Sequence, residues 1–119
     1  MTAPRWLALA VVLCAMPPRV WAHAFLAKAS PPVGSQVAAA PAELMLRFTE
    51  KVEPLFCTIQ LLDPAGAAVS MPTPRVTEDG QVLAITLPKL RVGTYTVVWH
   101  VTSVDTHKTE GRYQFTIGP

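Results

Sequence analysis

The sequence predicts an all-β protein, a sandwich or a barrel, and three observations carry that prediction. Apolar and polar residues alternate in several short runs, the period-two pattern of a half-buried strand. Turn-forming residues interrupt these runs about every eight to twelve residues, as antiparallel sheets require. No run after the first few residues carries a convincing 3.6-residue apolar period, so no amphipathic helix competes.

The opening segment stands apart from this pattern. Arg5 supplies a positive charge, residues 6–16 form an apolar run of eleven, and Pro17-Pro18 breaks it. Val20-Trp21-Ala22 then offers small residues at the −3 and −1 positions of a cleavage site. That is the anatomy of a secretory signal peptide, residues 1–22, removed after Ala22. Eleven residues fall short of the roughly twenty that a membrane-spanning helix needs, so no direct membrane anchor is expected. Leu13 also stands where a lipoprotein signal ending at Cys14 would want a small residue.

Residues 23–119 remain as a single expected domain of 97 residues, enough for one modest core. Arg5 and Arg19 leave with the leader, so eight Lys and Arg then face eight Asp and Glu. With no net basic charge, the domain has no electrostatic footprint for nucleic acid or an anionic membrane.

The elements follow in order. A first short strand ends at the turn Ser30-Pro31-Pro32-Val33-Gly34. Leu44, Leu46 and Phe48 alternate with Met45, Arg47 and Thr49 in the next. Residues 56–62 and 82–87 are further strand candidates. Residues 93–101 are the strongest, with Tyr95, Val97, Trp99 and Val101 on one face. Residues 112–117 close the chain with Tyr113, Phe115 and Ile117 on a single face. Between them, Asp63-Pro64-Ala65-Gly66 and Glu78-Asp79-Gly80 are turns. The Met71-Pro72-Thr73-Pro74 stretch is loop or sheet edge, because proline cannot donate to a ladder. Tyr95, just after the 87–93 turn, is either a tyrosine corner or simply a packed aromatic. Cys57 is alone once Cys14 is gone, so it makes no internal disulfide and reads as a small buried hydrophobe.

Candidate chemistry begins at His23, the first residue after cleavage. Its free α-amine and Nδ1 can close a six-membered chelate ring around a metal, and paired planar nitrogens suit copper(II). Alone this is a weak signal. Asp105-Thr106-His107 follows the long apolar strand, and residues two apart on an extended segment point the same way. By itself that triplet reads first as a solvated turn. Together the donors are an amine, two imidazoles and a carboxylate, with no soft sulfur: a copper(II) set, though zinc takes the same donors tetrahedrally. Glu50 and Glu53 read as a charged strand end. Ser103 lies near His107, but nothing supplies an oxyanion hole for a nucleophile. There is no glycine-rich phosphate loop.

Several segments together resemble a known family: His23-Ala24-Phe25-Leu26, Ser30-Pro31-Pro32-Val33-Gly34, Leu46-Arg47-Phe48-Thr49-Glu50, Gly93-Thr94-Tyr95-Thr96-Val97-Val98-Trp99 and Ser103-Val104-Asp105-Thr106-His107. They resemble the CopC-type periplasmic copper-binding proteins, over nearly the whole chain from His23 to Ile117. The resemblance implies a Greek-key, immunoglobulin-like β-sandwich of about seven strands. It implies one copper(II) per chain, held by His23, Asp105 and His107. It also implies a periplasmic carrier or buffer in copper resistance or homeostasis, working beside a CopD-type inner-membrane copper transporter. Departures are visible too. Some members carry a methionine-rich copper(I) loop, whereas residues 62–75 hold only Met71 and Met45 lies on a strand, so no separate copper(I) site is expected. Phe25 stands where many relatives have a second His. His100 stands where they often have Arg, and is expected to be a solvated or interstrand side chain. Two other functions compete with a non-enzymatic carrier. One is a small His-brace copper oxidoreductase, which needs an open equatorial position and a broad substrate face. The other is a structural or adhesion sandwich in which His23 comes first by chance.

Overall fold

The structure, a computed structural model, describes residues 25–77 and 79–119. The leader, its cleavage site, His23 and Glu78 lie outside the described residues.

Among the described residues nine strands form: β1 (Leu26–Ser30), β2 (Gln36–Val37), β3 (Glu43–Phe48), β4 (Thr58–Leu62), β5 (Ala68–Val69), β6 (Arg75–Thr77), β7 (Val82–Thr86), β8 (Gly93–Thr102) and β9 (Lys108–Ile117). A single 3₁₀ turn, Pro54–Phe56, precedes β4. Two strands, β2 and β5, are only two residues long, which leaves seven longer ones, the number the resemblance implies.

The strands build two sheets, ordered β1-β3-β7-β6 and β2-β9-β8-β4-β5. Apart from the short parallel pair of β2 with β9, neighbours run antiparallel. The chain crosses between sheets after β1, β2, β3, β5 and β7. This is the four-on-three order of an immunoglobulin-type sandwich, with β2 and β5 as short additions at the two edges of the second sheet.

The alternation that predicted the strands is the alternation of burial. On β3, Leu44, Leu46 and Phe48 are buried while the intervening residues are half-buried. On β8, Tyr95, Val97, Trp99 and Val101 face inward, and Tyr113, Phe115 and Ile117 do so on β9. Phe48 meets Trp99 edge-on across the sheets, ring centroids 5.3 Å apart at 72°, a favourable aromatic geometry. Each buried aromatic or Leu side chain contributes about 1.5–3 kcal/mol of transfer free energy. These facing rows are therefore what holds the two sheets together.

Two features exceed the sequence expectation. β9 begins at Lys108 rather than at residue 112, because residues 108–111 pair with Thr102 back to Trp99 although they carry no apolar alternation. Gly111 lies opposite Trp99, and a Cβ there would stand 2.4 Å from the indole Cζ2. The glycine is a matter of space, leaving room for the buried ring. The structure also decides for a tyrosine corner: Tyr95 Oη donates to the Arg91 carbonyl at 2.9 Å.

The predicted turns form as well. Asp63 Oδ1 accepts from the Ala65 and Ala67 amides, each at 2.9 Å, and closes the β4–β5 hairpin. Asp79 and Gly80 both take positive φ, 60° and 81°, between β6 and β7, the conformation an Asp-Gly hairpin turn demands.

Candidate metal centre

Asp105 and His107 sit on the turn between the two longest strands, where the chain reverses from β8 into β9. The Ser103 amide donates to the His107 carbonyl at 2.9 Å, and the Thr106 amide donates to the Ser103 carbonyl at 2.9 Å. Thr106 takes φ 73°, so the peptide plane flips within the turn. The segment after β3 clamps this reversal from outside. Val52 bridges Ser103, the Glu53 amide reaches the Thr102 carbonyl at 2.8 Å, and the Val104 amide reaches the Lys51 carbonyl at 3.0 Å.

The turn brings the two expected residues together: Asp105 Oδ2 lies 3.2 Å from His107 Nδ1. The route differs from the one the spacing implies. Residues two apart on an extended strand share a face, yet here a tight reversal with a left-handed residue between them supplies the juxtaposition. Both side chains are substantially exposed, His107 by 51% and Asp105 by 39%.

Beneath them lies Ser103, completely buried. Its hydroxyl donates to Asp105 Oδ1 and lies 3.3 Å from the His107 carbonyl. A hydroxyl has one proton, and the ionised carboxylate is the stronger acceptor. The Asp105 carboxyl is held below its ordinary range, chiefly by this bond from Ser103, which outweighs the opposing desolvation, with further lowering by His107. Sequence reasoning considered Ser103 only as a nucleophile. No sequence signal marks this contact, because the burial that commits the hydroxyl depends on the distant bridge to Val52.

His23 lies outside the described residues, so its distance to this pair is not part of the geometry. The first described residue, Phe25, is tied to the same end of the sandwich. Its carbonyl accepts from the Thr49 amide at 2.8 Å, and its amide donates to Thr49 Oγ1 at 3.0 Å. Thr49 is two residues from Lys51, which holds Val104. Among the described residues, Asp105 and His107 belong to no group of three or more His, Cys, Asp or Glu side chains placed to hold a metal.

Other candidates separate from this centre. His100 Nε2 pairs with Glu110 Oε2 at 2.8 Å across β8 and β9, the interstrand role expected of it. That pair lines a cavity of about 500 Å³ on the outer face of the second sheet, together with Phe56, Thr58 and Lys108. Cys57 is buried, its thiol 3.9 Å from the Thr102 carbonyl, and burial pushes that thiol up from its ordinary pKa. Met71 is partly buried against the core, as a filler would be. No helix among the described residues is long and apolar enough to cross a membrane.

Comparisons with known proteins agree with this architecture. Residues 26–118 match the family described as the CopC domain. Protein YobA of Escherichia coli (strain K12) is 42% identical over 102 residues, spanning 84% of this chain and 82% of its own. The crystal structure of CopC from Methylosinus trichosporium OB3b superposes with a TM-score of 0.77 at 40% identity, covering 82% of this chain and 95% of that one. PcoC, a methionine-rich copper resistance protein from Escherichia coli, superposes with a TM-score of 0.72 at 30% identity, covering 81% and 99%.

Proposed function

We propose, from the premise that this chain belongs to the CopC family and is a copper-binding protein, that it is a periplasmic carrier or buffer for a single copper(II) ion held by His23, Asp105 and His107. The observation that carries this reading is the Asp105–His107 pair, a carboxylate oxygen and an imidazole nitrogen 3.2 Å apart on a clamped turn. Two donors on one metal at about 2 Å each lie roughly 3 Å apart, so little rearrangement is needed to chelate. Phe25 anchors the start of the described chain at this same end. His23 precedes it by two residues, a span of at most about 7 Å when extended.

The donor set accounts for the choice of ion. An α-amine, two imidazoles and a carboxylate give three nitrogens and an oxygen, a set that favours copper(II) over the softer copper(I). Exposure of both side chains fits a cargo that must be loaded and surrendered. The reading is of a binding protein, not an enzyme, with a CopD-type inner-membrane copper transporter as the partner it implies. The ion competes with protons for the amine (free pKa about 8) and the imidazoles (about 6.5), so affinity falls as pH drops.

Mass spectrometry of the exported protein, with and without copper, tests processing and stoichiometry together. A chain beginning at His23 that gains one copper supports the reading. His107→Ala, or one extra residue ahead of His23, should weaken binding sharply. An exported chain beginning elsewhere, or undiminished affinity in either variant, would overturn it.

A further inference from the structure

We propose that Ser103 is the positioning residue of this metal centre, its buried hydroxyl holding the Asp105 carboxylate against the His107 ring. The inference rests on the copper(II) reading above and deepens it by one layer.

Three observations converge on Ser103. It is the buried polar residue of the described chain, with no exposed surface at all, whereas the two residues it supports stand in solvent. A buried hydroxyl that has lost its water is stabilised by giving its proton to a protein acceptor. The acceptor it meets is Asp105 Oδ1. With Oδ1 so engaged, the other oxygen, Oδ2, lies against His107 Nδ1.

Ser103 itself cannot drift. Its amide is tied to the His107 carbonyl, its carbonyl to the Thr106 amide, and its backbone to Val52 from the far side of the chain. The rigid sandwich thus reaches the exposed pair through one hydroxyl. Without it, an exposed aspartate on a turn would sample several rotamers, and an ion would have to order the carboxylate as it bound. Fixing ligands in advance removes that ordering cost, which is why partners one layer behind metal ligands commonly change affinity by about 10- to 100-fold.

The test removes the donor with Ser103→Ala, and with Ser103→Gly as a second non-donating variant, using circular dichroism to confirm folding. Copper(II) affinity should fall by about 10- to 100-fold, and the copper hyperfine coupling in the electron paramagnetic resonance spectrum should shift. In an Asp105→Ala background, which offers the hydroxyl no acceptor, the same substitution should cost nothing further, because Ser103 acts through Asp105. Equal affinity and spectra, or an equal loss in both backgrounds, would overturn the proposal.

A metal-free arm separates this from failure of the copper reading. Nitrogen-15 spectra of the apo protein should place the neutral His107 proton on Nδ1, facing Asp105, and Ser103→Ala should shift that tautomer toward Nε2–H. Asp105→Ala and the Ser103→Ala/Asp105→Ala double variant should match each other. If the wild-type chain takes up no copper, the carrier reading falls and these spectra alone decide: an unchanged His107 tautomer overturns the role of Ser103. Where both serine variants fail to fold, Asp105→Asn, altered only on the exposed side, supplies the decision. A His107 tautomer unaffected by that change would mean there is no carboxylate constraint for Ser103 to transmit.

Discussion

Gly111→Ala is the smallest change that should damage this fold, and its cost follows from one contact. The added Cβ would stand 2.4 Å from Trp99 Cζ2, 2.7 Å from Cε2 and 3.1 Å from Nε1, against the roughly 3.5–4.0 Å that carbon atoms prefer. About 1 Å of movement is therefore required, either of the strand or of the indole. The indole is only 6% exposed and packs edge-on against Phe48, itself 1% exposed, so it cannot swing into solvent. Overpacking of this kind costs about 1–3 kcal/mol. Relief of the glycine's own penalty in a strand returns about 0.5–1 kcal/mol. The net loss should be about 1–2 kcal/mol, or roughly 5–15 °C in Tm for a domain of this size. Urea unfolding followed by Trp99 fluorescence measures it, since Trp6 and Trp21 lie in the predicted leader. In a Trp99→Phe background, which lacks the clashing atoms, the same substitution should cost little. An unchanged or raised midpoint for Gly111→Ala alone would refute the argument. So would an equal loss in both backgrounds.

Two tyrosines on neighbouring strands should respond oppositely to loss of the hydroxyl. Tyr95→Phe removes the bond to the Arg91 carbonyl and should cost about 1 kcal/mol in chemical denaturation. Tyr113→Phe should be neutral or stabilising, because that buried hydroxyl has no hydrogen-bond partner among the described residues; a loss comparable to that of Tyr95→Phe would contradict this. Burial raises the Cys57 thiol, so a disulfide-exchange reagent at neutral pH should react slowly with the native protein and rapidly once it is unfolded; equal rates would contradict the buried placement. The depressed Asp105 carboxyl favours the folded turn above the ordinary aspartate pKa of about 3.9, and that contribution is lost as pH falls through the lower folded value. Carbon-13 titration of the apo protein checks this, and a midpoint at or above about 3.9 would be the wrong sign.

The parts of the fold legible in advance are those where pairing and burial coincide. Residues on β3 and β8 alternate because one face of each meets the opposite sheet, so the pattern marks them directly. β6 escapes that logic. It is an edge strand of three residues with none fully buried, and its register is set by β7 rather than by its own side chains. The first four residues of β9 escape for the same reason, since Trp99 requires the absence of a side chain opposite it, and absence has no periodicity. Asp105 and His107 could be singled out as a proposed pair of ligands because aspartate and histidine advertise their chemistry whatever holds them. Their nearness did not depend on the extended geometry assumed for it: a reversal through Thr106 produces the same juxtaposition. Ser103 is the opposite case. A serine carries no functional signal until it is known to be buried, and its burial is created by a bridge to Val52, fifty-one residues earlier in the chain. Ligand-type residues are thus readable as composition and spacing. The residue that would aim them is defined only by long-range contact, because its contribution is a direction and not a charge.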